Sequence, residues 1–280
     1  MSNRRALFVG INVFKNYPGS TLHGCVNDAN DMADAYTKLL GFTANDFKIL
    51  ADAQATKAAI MTELQAMVAG AKAGKYNYLV FSMSSHGTQV PDKGGEEADR
   101  YDEAFCPHDL AAAGGQWDAN HVILDDELHD LFVQLPPSVL LEVYLDTCHS
   151  GTGLKAADLM PDRRPRYIAP PSMAACNQLL SLAPRGLAAR MRERDDRATQ
   201  HALLFAACRD NQTSADAYIG GRYHGAFTYY WHKEIIAANN HISRADLLKK
   251  VNADLKAGHF AQVAQLEGNA TQRALSLGPK

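Results

Sequence analysis

The sequence predicts an α/β fold, a single domain over 1-280 built on a mainly parallel sheet with helices on both faces. Three observations predict it. Apolar strand-like runs alternate with amphipathic helical stretches through the first third of the chain, the pattern of parallel strands joined by crossover helices. Two of those runs, Tyr78 to Phe81 and Val139 to Leu145, end just before a histidine and a cysteine that are followed by small residues. With 46% hydrophobic residues in 280, the chain can bury a substantial core.

Arg5 to Asn12 is a short apolar run ended by turn residues and reads as a strand buried on both faces. From Val26 the apolar positions Ala29, Met32, Ala33, Tyr36, Leu39 and Leu40 recur at helical spacing, with Asp28 and Asp31 early and Gly41 at the end. Phe47 to Leu50 is a second strand, and Thr56 to Ala71 a second helix with Thr56 as its cap. The strand ending at His86 follows. Val90 to Arg100 reads as an exposed loop, Asp102 to Asp109 as a short hairpin element, and Asp125 to Phe132 as a helix with an acidic first turn. Val139 to Leu145 is the strand that delivers Cys148. Between Gly153 and Gln200 prolines and arginines accumulate, which predicts a long mobile insertion at about 153-200. His201 to Cys208 resumes the strand pattern, Gly225 to Ala238 and Ser243 to Ala257 read as helices, and Gln265 to Gly268 with Arg273 to Leu277 as an extended end.

Composition excludes several classes. Lys+Arg 28 against Asp+Glu 31 gives a net charge of -3, so no basic field draws the chain to nucleic acid or anionic lipid. The apolar run Ala6 to Val13 is too short for a signal peptide, and no stretch of about 18 apolar residues predicts a membrane span. A soluble, cytoplasmic protein is expected. The 5 cysteines are odd in number and include no C-x-x-C pair, against a disulfide framework or a structural zinc site. His23-Gly24-Cys25 and Cys106-Pro107-His108 have no matching second pair of ligands.

In an open parallel sheet ligands bind beyond the carboxyl ends of the strands, where His86 and Cys148 both fall. A cysteine thiol, with an ordinary pKa of about 8.5, needs a neighbouring base to become a nucleophile near neutral pH. His86 can take that proton and return it to a leaving amine. His149 points away from Cys148 on an extended chain and is set aside. Gly87 lets its N-H approach substrate, and with the Cys148 N-H it can form an oxyanion hole. Asp146, two residues before Cys148, and Ser84, two before His86, leave their strands on the same side as those residues. Cys25 and Asp28 share a helix face. A pocket floored by Asp28 and Asp146 favours an arginine or lysine side chain.

Ser85-His86-Gly87-Thr88-Gln89, Asp146-Thr147-Cys148-His149-Ser150-Gly151, Gly24-Cys25-Val26-Asn27-Asp28-Ala29 and the stretch Cys208 to Ala215 resemble, in this order, the motifs of the metacaspases, in the caspase-like clan of cysteine peptidases. The resemblance runs from Ala6 to about Leu277. Animal caspases carry a different motif around the cysteine. The resemblance implies a caspase-hemoglobinase fold, a three-layer α/β/α sandwich, in a compact prokaryotic-type monomer. It implies peptide hydrolysis through a His86/Cys148 dyad, on peptide or protein substrates with Arg or Lys before the cut. By the same similarity Cys25, Asp28, Ser84 and Asp146 match the pocket for the residue preceding the cut. Asp102, Asp125 and Asp126 match three acidic ligands of calcium-activated relatives, while Lys155 stands at the fourth position. No cofactor is required, and calcium is a candidate activator. An Arg/Lys-specific site could also cut its own chain at Lys155, Arg163, Arg164 or Arg166. The rival readings are a non-catalytic caspase-like scaffold or sensor and another thiol hydrolase on the same fold.

Overall fold

The computed structural model describes residues 3–91, 101–148, 162–171, 202–209 and 212–279. Its strands are β1 (Arg4–Gly10), β2 (Phe47–Ala51), β3 (Tyr78–Ser84), β4 (Gly87–Pro91), β5 (Tyr101–Phe105), β6 (Ala112–Ala113), β7 (Gln116–Trp117), β8 (Ile123–Leu124), β9 (Leu140–Asp146), β10 (Arg163–Pro165), β11 (Ala202–Ala206), β12 (Ala215–Ile219), β13 (Arg222–Gly225) and β14 (Gln265–Glu267). The helices are α1 (Cys25–Leu40), α2 (Lys57–Lys72), α3 (Asp125–Phe132), α4 (Ala226–Ala237), α5 (Arg244–Ala257) and α6 (Ala270–Arg273).

Among the described residues, six strands form the central sheet in the order β14-β11-β9-β3-β1-β2. All neighbours are parallel except β11 and β14. Alternation along each strand sorts side chains to two faces. Leu7, Val9, Leu79, Phe81, Leu141 and Val143 join a cluster with Ile60 and Leu64 of α2 and Leu128 and Phe132 of α3. Ala6, Phe8, Val80 and Tyr144 join the opposite cluster with Met32 and Tyr36 of α1, Trp231 of α4 and Leu247 of α5. This is the predicted three-layer α/β/α arrangement.

Local signals act as read. Gly41 closes α1 at φ 66, the left-handed region that glycine enters at no steric cost, and its N–H donates to the Thr37 carbonyl at 3.1 Å. The Thr56 hydroxyl accepts the Ala59 N–H at 3.2 Å, and Ser243 does the same for Asp246 at 3.0 Å. A charged residue sits in the middle of the core strand β9. Glu142 of β9 is fully buried, accepts from the Tyr36 and Tyr78 hydroxyls at 2.6 and 2.7 Å, and pairs with the buried Arg244 of α5.

Three expectations are corrected. Val90 and Pro91 extend β4 rather than opening a loop, and β5 pairs with β4 and β8, so the element near Asp102 is the middle strand of a small antiparallel sheet. Of the two segments predicted as an extended end, Gln265–Glu267 forms β14, whereas the short helix α6, capped by Asn269, ends at Arg273 and the chain from there to Leu277 runs through turn and bend. Within the predicted insertion, β10 is paired antiparallel with β12, and Arg166 just beyond it is fully buried. Of 153-200, the residues other than 162–171, including Lys155, lie outside the described residues, as does most of the Val90 to Arg100 stretch.

Candidate active site

Register builds the site. Ser84 of β3 lies opposite Asp146 of the neighbouring β9. His86 and Cys148, each two residues further on, therefore leave the sheet at the same level on adjacent strands, which lie about 4.8 Å apart. Both side chains are buried. The Nε2 of His86 is 2.7 Å from the Ser20 carbonyl oxygen. A carbonyl only accepts, so Nε2 carries the hydrogen, and the neutral ring keeps its lone pair on Nδ1. That Nδ1 is buried and has no hydrogen-bond partner among the described residues. Phe14 packs on the ring at a centroid distance of 5.1 Å. Burial, the largest influence, lowers the His86 pKa to about 4, with the Arg166 charge acting in the same direction and the Ser20 contact against it. The imidazole is thus neutral at pH 7. The Cys148 thiol donates to the Gln212 carbonyl at 3.1 Å, and the Cys208 thiol shares that acceptor at 3.4 Å.

Beside this pair lies an acidic pocket, and the chain's own Arg166 fills it. The guanidinium meets Asp28 at 2.7 Å, Asp216 at 3.1 Å and Asp146 at 3.2 Å, and donates to the Asp146 backbone carbonyl at 3.0 Å. Asp146 is held by the hydroxyls of Ser214 and Thr228 at 2.5 and 2.7 Å, Asp28 by the Gly225 N–H at 2.9 Å, and Asp216 by the N–H groups of His23 and Gly24 at 2.8 and 2.9 Å. Gly225 is required by this close approach, because a β-carbon there would collide with the Asp146 carboxylate and the guanidinium. Burial acts to raise the Asp28 pKa, but Arg166 and His224 outweigh it and hold the carboxyl below its usual value. For Asp146 burial prevails and the pKa is raised.

The backbone of this segment is held as well. The Gly87 N–H donates to the Arg166 carbonyl oxygen at 2.9 Å, the Arg166 N–H donates to the Ser214 carbonyl at 3.0 Å, and the Ile168 N–H returns to the Gly87 carbonyl at 3.0 Å. An arginine thus lies with its side chain among carboxylates and its carbonyl on the N–H of the glycine that follows the histidine.

Of the predicted pocket residues, Asp28 and Asp146 contact Arg166 directly, and the buried Cys25 thiol is close enough for its charge state to couple to that guanidinium. Ser84 is buried at the Asp146 level, with its hydroxyl unpartnered among the described residues. Asp216 was not singled out from the sequence, although it directly follows the Cys208 to Ala215 motif. Asp102 lies on β5, and Asp125 and Asp126 open α3. No group of three or more His, Cys, Asp or Glu side chains among the described residues is arranged to hold a metal ion, and Asp125 Oδ1 instead accepts the Asp126 N–H at 3.0 Å at the start of α3.

Residues 4–157 match the family model of the metacaspase, peptidase C14 domain. The chain belongs to the metacaspases. This metacaspase is 31% identical over 298 residues to Metacaspase-1 of Yarrowia lipolytica, covering 95% of the present chain and 61% of the relative. It is 32% identical over 295 residues to Metacaspase-1B of Neosartorya fischeri, covering 94% and 68%. The chain thus spans about three fifths of the Yarrowia relative's length. Among solved structures, a Geobacter sulfurreducens protein superposes with a TM-score of 0.67 at 23% identity, covering 99% of this chain and 98% of that one. Caspase-1 of Spodoptera frugiperda superposes with a TM-score of 0.60 at 11% identity, covering 95% and 86%. At those identities the likeness speaks for the caspase-like fold alone. The family is one of cysteine-type peptidases, and no helix among the described residues is long and apolar enough to cross a membrane.

Proposed function

We propose that this metacaspase is an endopeptidase that cuts after arginine or lysine, with Cys148 as nucleophile and His86 as base. The observation that carries the reading is Arg166, which lies as the residue before a cut would lie. Its guanidinium is paired with three carboxylates and its carbonyl oxygen accepts the Gly87 N–H. An acidic pocket of this kind rejects an aspartate side chain by like charge, and favours arginine over lysine because a guanidinium can pair with two carboxylates at once.

In the reaction, His86 Nδ1 takes the Cys148 proton and the thiolate attacks the carbonyl carbon. The oxyanion accepts from the Gly87 and Cys148 N–H groups, each donor lowering the barrier by about 3 kcal/mol. The imidazolium returns the proton to the leaving amine, and water, deprotonated by the same ring, releases the acyl group. Pocket, base and nucleophile come from one chain, so the reading needs no second copy. A cytoplasmic setting suits Cys25, Cys106, Cys148 and Cys208, which are free thiols.

The same reading selects among the bonds the enzyme could cut in itself. Arg163 and Arg164 are paired within the β10–β12 ladder, whereas Arg166 occupies the pocket, so Arg166–Tyr167 is the bond proposed for self-cleavage. Assaying Arg, Lys and Asp peptides with wild type and Cys148→Ala tests the whole reading. Arg and Lys peptides should be cut, Arg faster, and the Asp peptide spared, with all turnover lost in the variant. Turnover of the Asp peptide, or activity surviving in Cys148→Ala, contradicts it.

A further inference from the structure

The segment that brings Arg166 to the pocket carries a second arginine in a prepared site. Counting back from Arg166 as the residue before the cut, Pro165 is second, Arg164 third and Arg163 fourth. Antiparallel pairing with β12, Arg163 opposite Ala217 and Pro165 opposite Ala215, holds the segment extended. Arg164 is exposed and donates to the Thr21 carbonyl at 3.0 Å. Arg163 is better enclosed. Its guanidinium carbon stands 4.0 Å above the centre of the Phe260 ring, and its two terminal nitrogens donate to the His259 carbonyl at 2.8 Å and the Gly258 carbonyl at 2.9 Å.

Three features suit this site to a guanidinium. The Phe260 ring lies only 9% exposed, so it presents a fixed π face whose electron-rich centre attracts a cation. Gly258 and His259 directly follow the last turn of α5, where the helix dipole is negative. His259 sits at φ 57, a conformation that residues with a β-carbon rarely adopt, and the turn it makes leaves both carbonyls accepting from Arg163. A planar fork can lie flat on the ring and donate to both oxygens at once, which an ammonium cannot do.

We infer that Gly258, His259 and Phe260 form a second cation subsite, which takes the guanidinium of an arginine at the fourth position before the cut. The favoured substrates are then peptides with two arginines spaced like Arg163 and Arg166. The inference rests on the reading in which Asp28 and Asp146 hold the residue before the cut.

Two fluorogenic peptides, Arg-Ala-Pro-Arg and Ala-Ala-Pro-Arg, test it on the full chain. An added peptide has to take the place of the docked segment, so both face the same competitor. Wild type should favour the first in kcat/KM by about fivefold to tenfold, the size of one well-formed cation–aromatic contact. A lysine at the first position should recover only part of that gain. In Phe260→Leu, which keeps apolar bulk and removes the π face, the ratio should fall towards one. A wild-type ratio within about twofold of one overturns the inference, as does a preference that survives in Phe260→Leu. If neither peptide is cleaved, the cleavage reading itself has failed. Binding of the two peptides to Cys148→Ala then judges the subsite alone, with tighter binding of the Arg peptide supporting it and equal binding rejecting it.

Discussion

At the residue scale, the protonation of His86 and the charge of Asp28 carry the account. A pKa of about 4 places the His86 proton well below the ordinary imidazole value of 6.5. The acid limb of kcat/KM for an arginine peptide should therefore lie below pH 5.5, and a midpoint near 6.5 would contradict a buried neutral base. Stability moves in the same window. The unfolded chain takes up this proton first, so the contribution of neutral His86 is lost as pH falls from 6.5 towards 4. Asp28→Asn keeps the shape of the side chain and removes the charge that meets the Arg166 guanidinium. Removing one partner of a buried ion pair costs about 3–5 kcal/mol, so kcat/KM for arginine peptides should fall by about 10²-fold or more. An unchanged value would remove Asp28 from the pocket.

At the scale of elements, the strand ends were legible and the docked segment was not. His86 and Cys148 can be read from the sequence because a buried strand followed by small residues is a local pattern, and parallel neighbours bring such ends together. Asp28 and Asp146 follow from spacing on one helix and one strand. Arg166 reads as one of four candidate cleavage positions in a proline- and arginine-rich stretch and not as a buried residue, since its burial depends on pairing between β10 and β12, which places it against Asp216, 50 residues away. Asp216 was missed for the same reason. Arg166→Ala leaves three buried carboxylates without their cation, so the melting temperature should drop. A small guanidinium compound such as agmatine, at millimolar concentration, should raise the melting temperature of that variant more than that of wild type. Equal shifts in the two proteins would show that the pocket does not hold a free guanidinium. Incubation of wild type should also yield a fragment ending at Arg166 by mass spectrometry, absent from Cys148→Ala; an intact wild-type chain would speak against self-cleavage there.

For the molecule as a whole, alternation along β1, β3 and β9 divides the core into two clusters. The α/β/α layering was therefore legible from apolar periodicity. Glu142 breaks that periodicity and was passed over, because its partners Tyr36, Tyr78 and Arg244 come from three other elements. It ties the sheet to α1 and α5, and Glu142→Gln should destabilise the protein by about 3–5 kcal/mol in denaturant unfolding. A loss under about 1 kcal/mol would show that the network is not a structural tie. The fold and the site meet in the claim that one chain presents a thiol beside an acidic pocket. The most direct measurement digests a complex peptide mixture with wild type and with Cys148→Ala and sequences the new ends. The account predicts arginine or lysine before every wild-type cut and no such cuts in the variant; cuts after acidic or apolar residues, or cuts that persist without the Cys148 thiol, would contradict it.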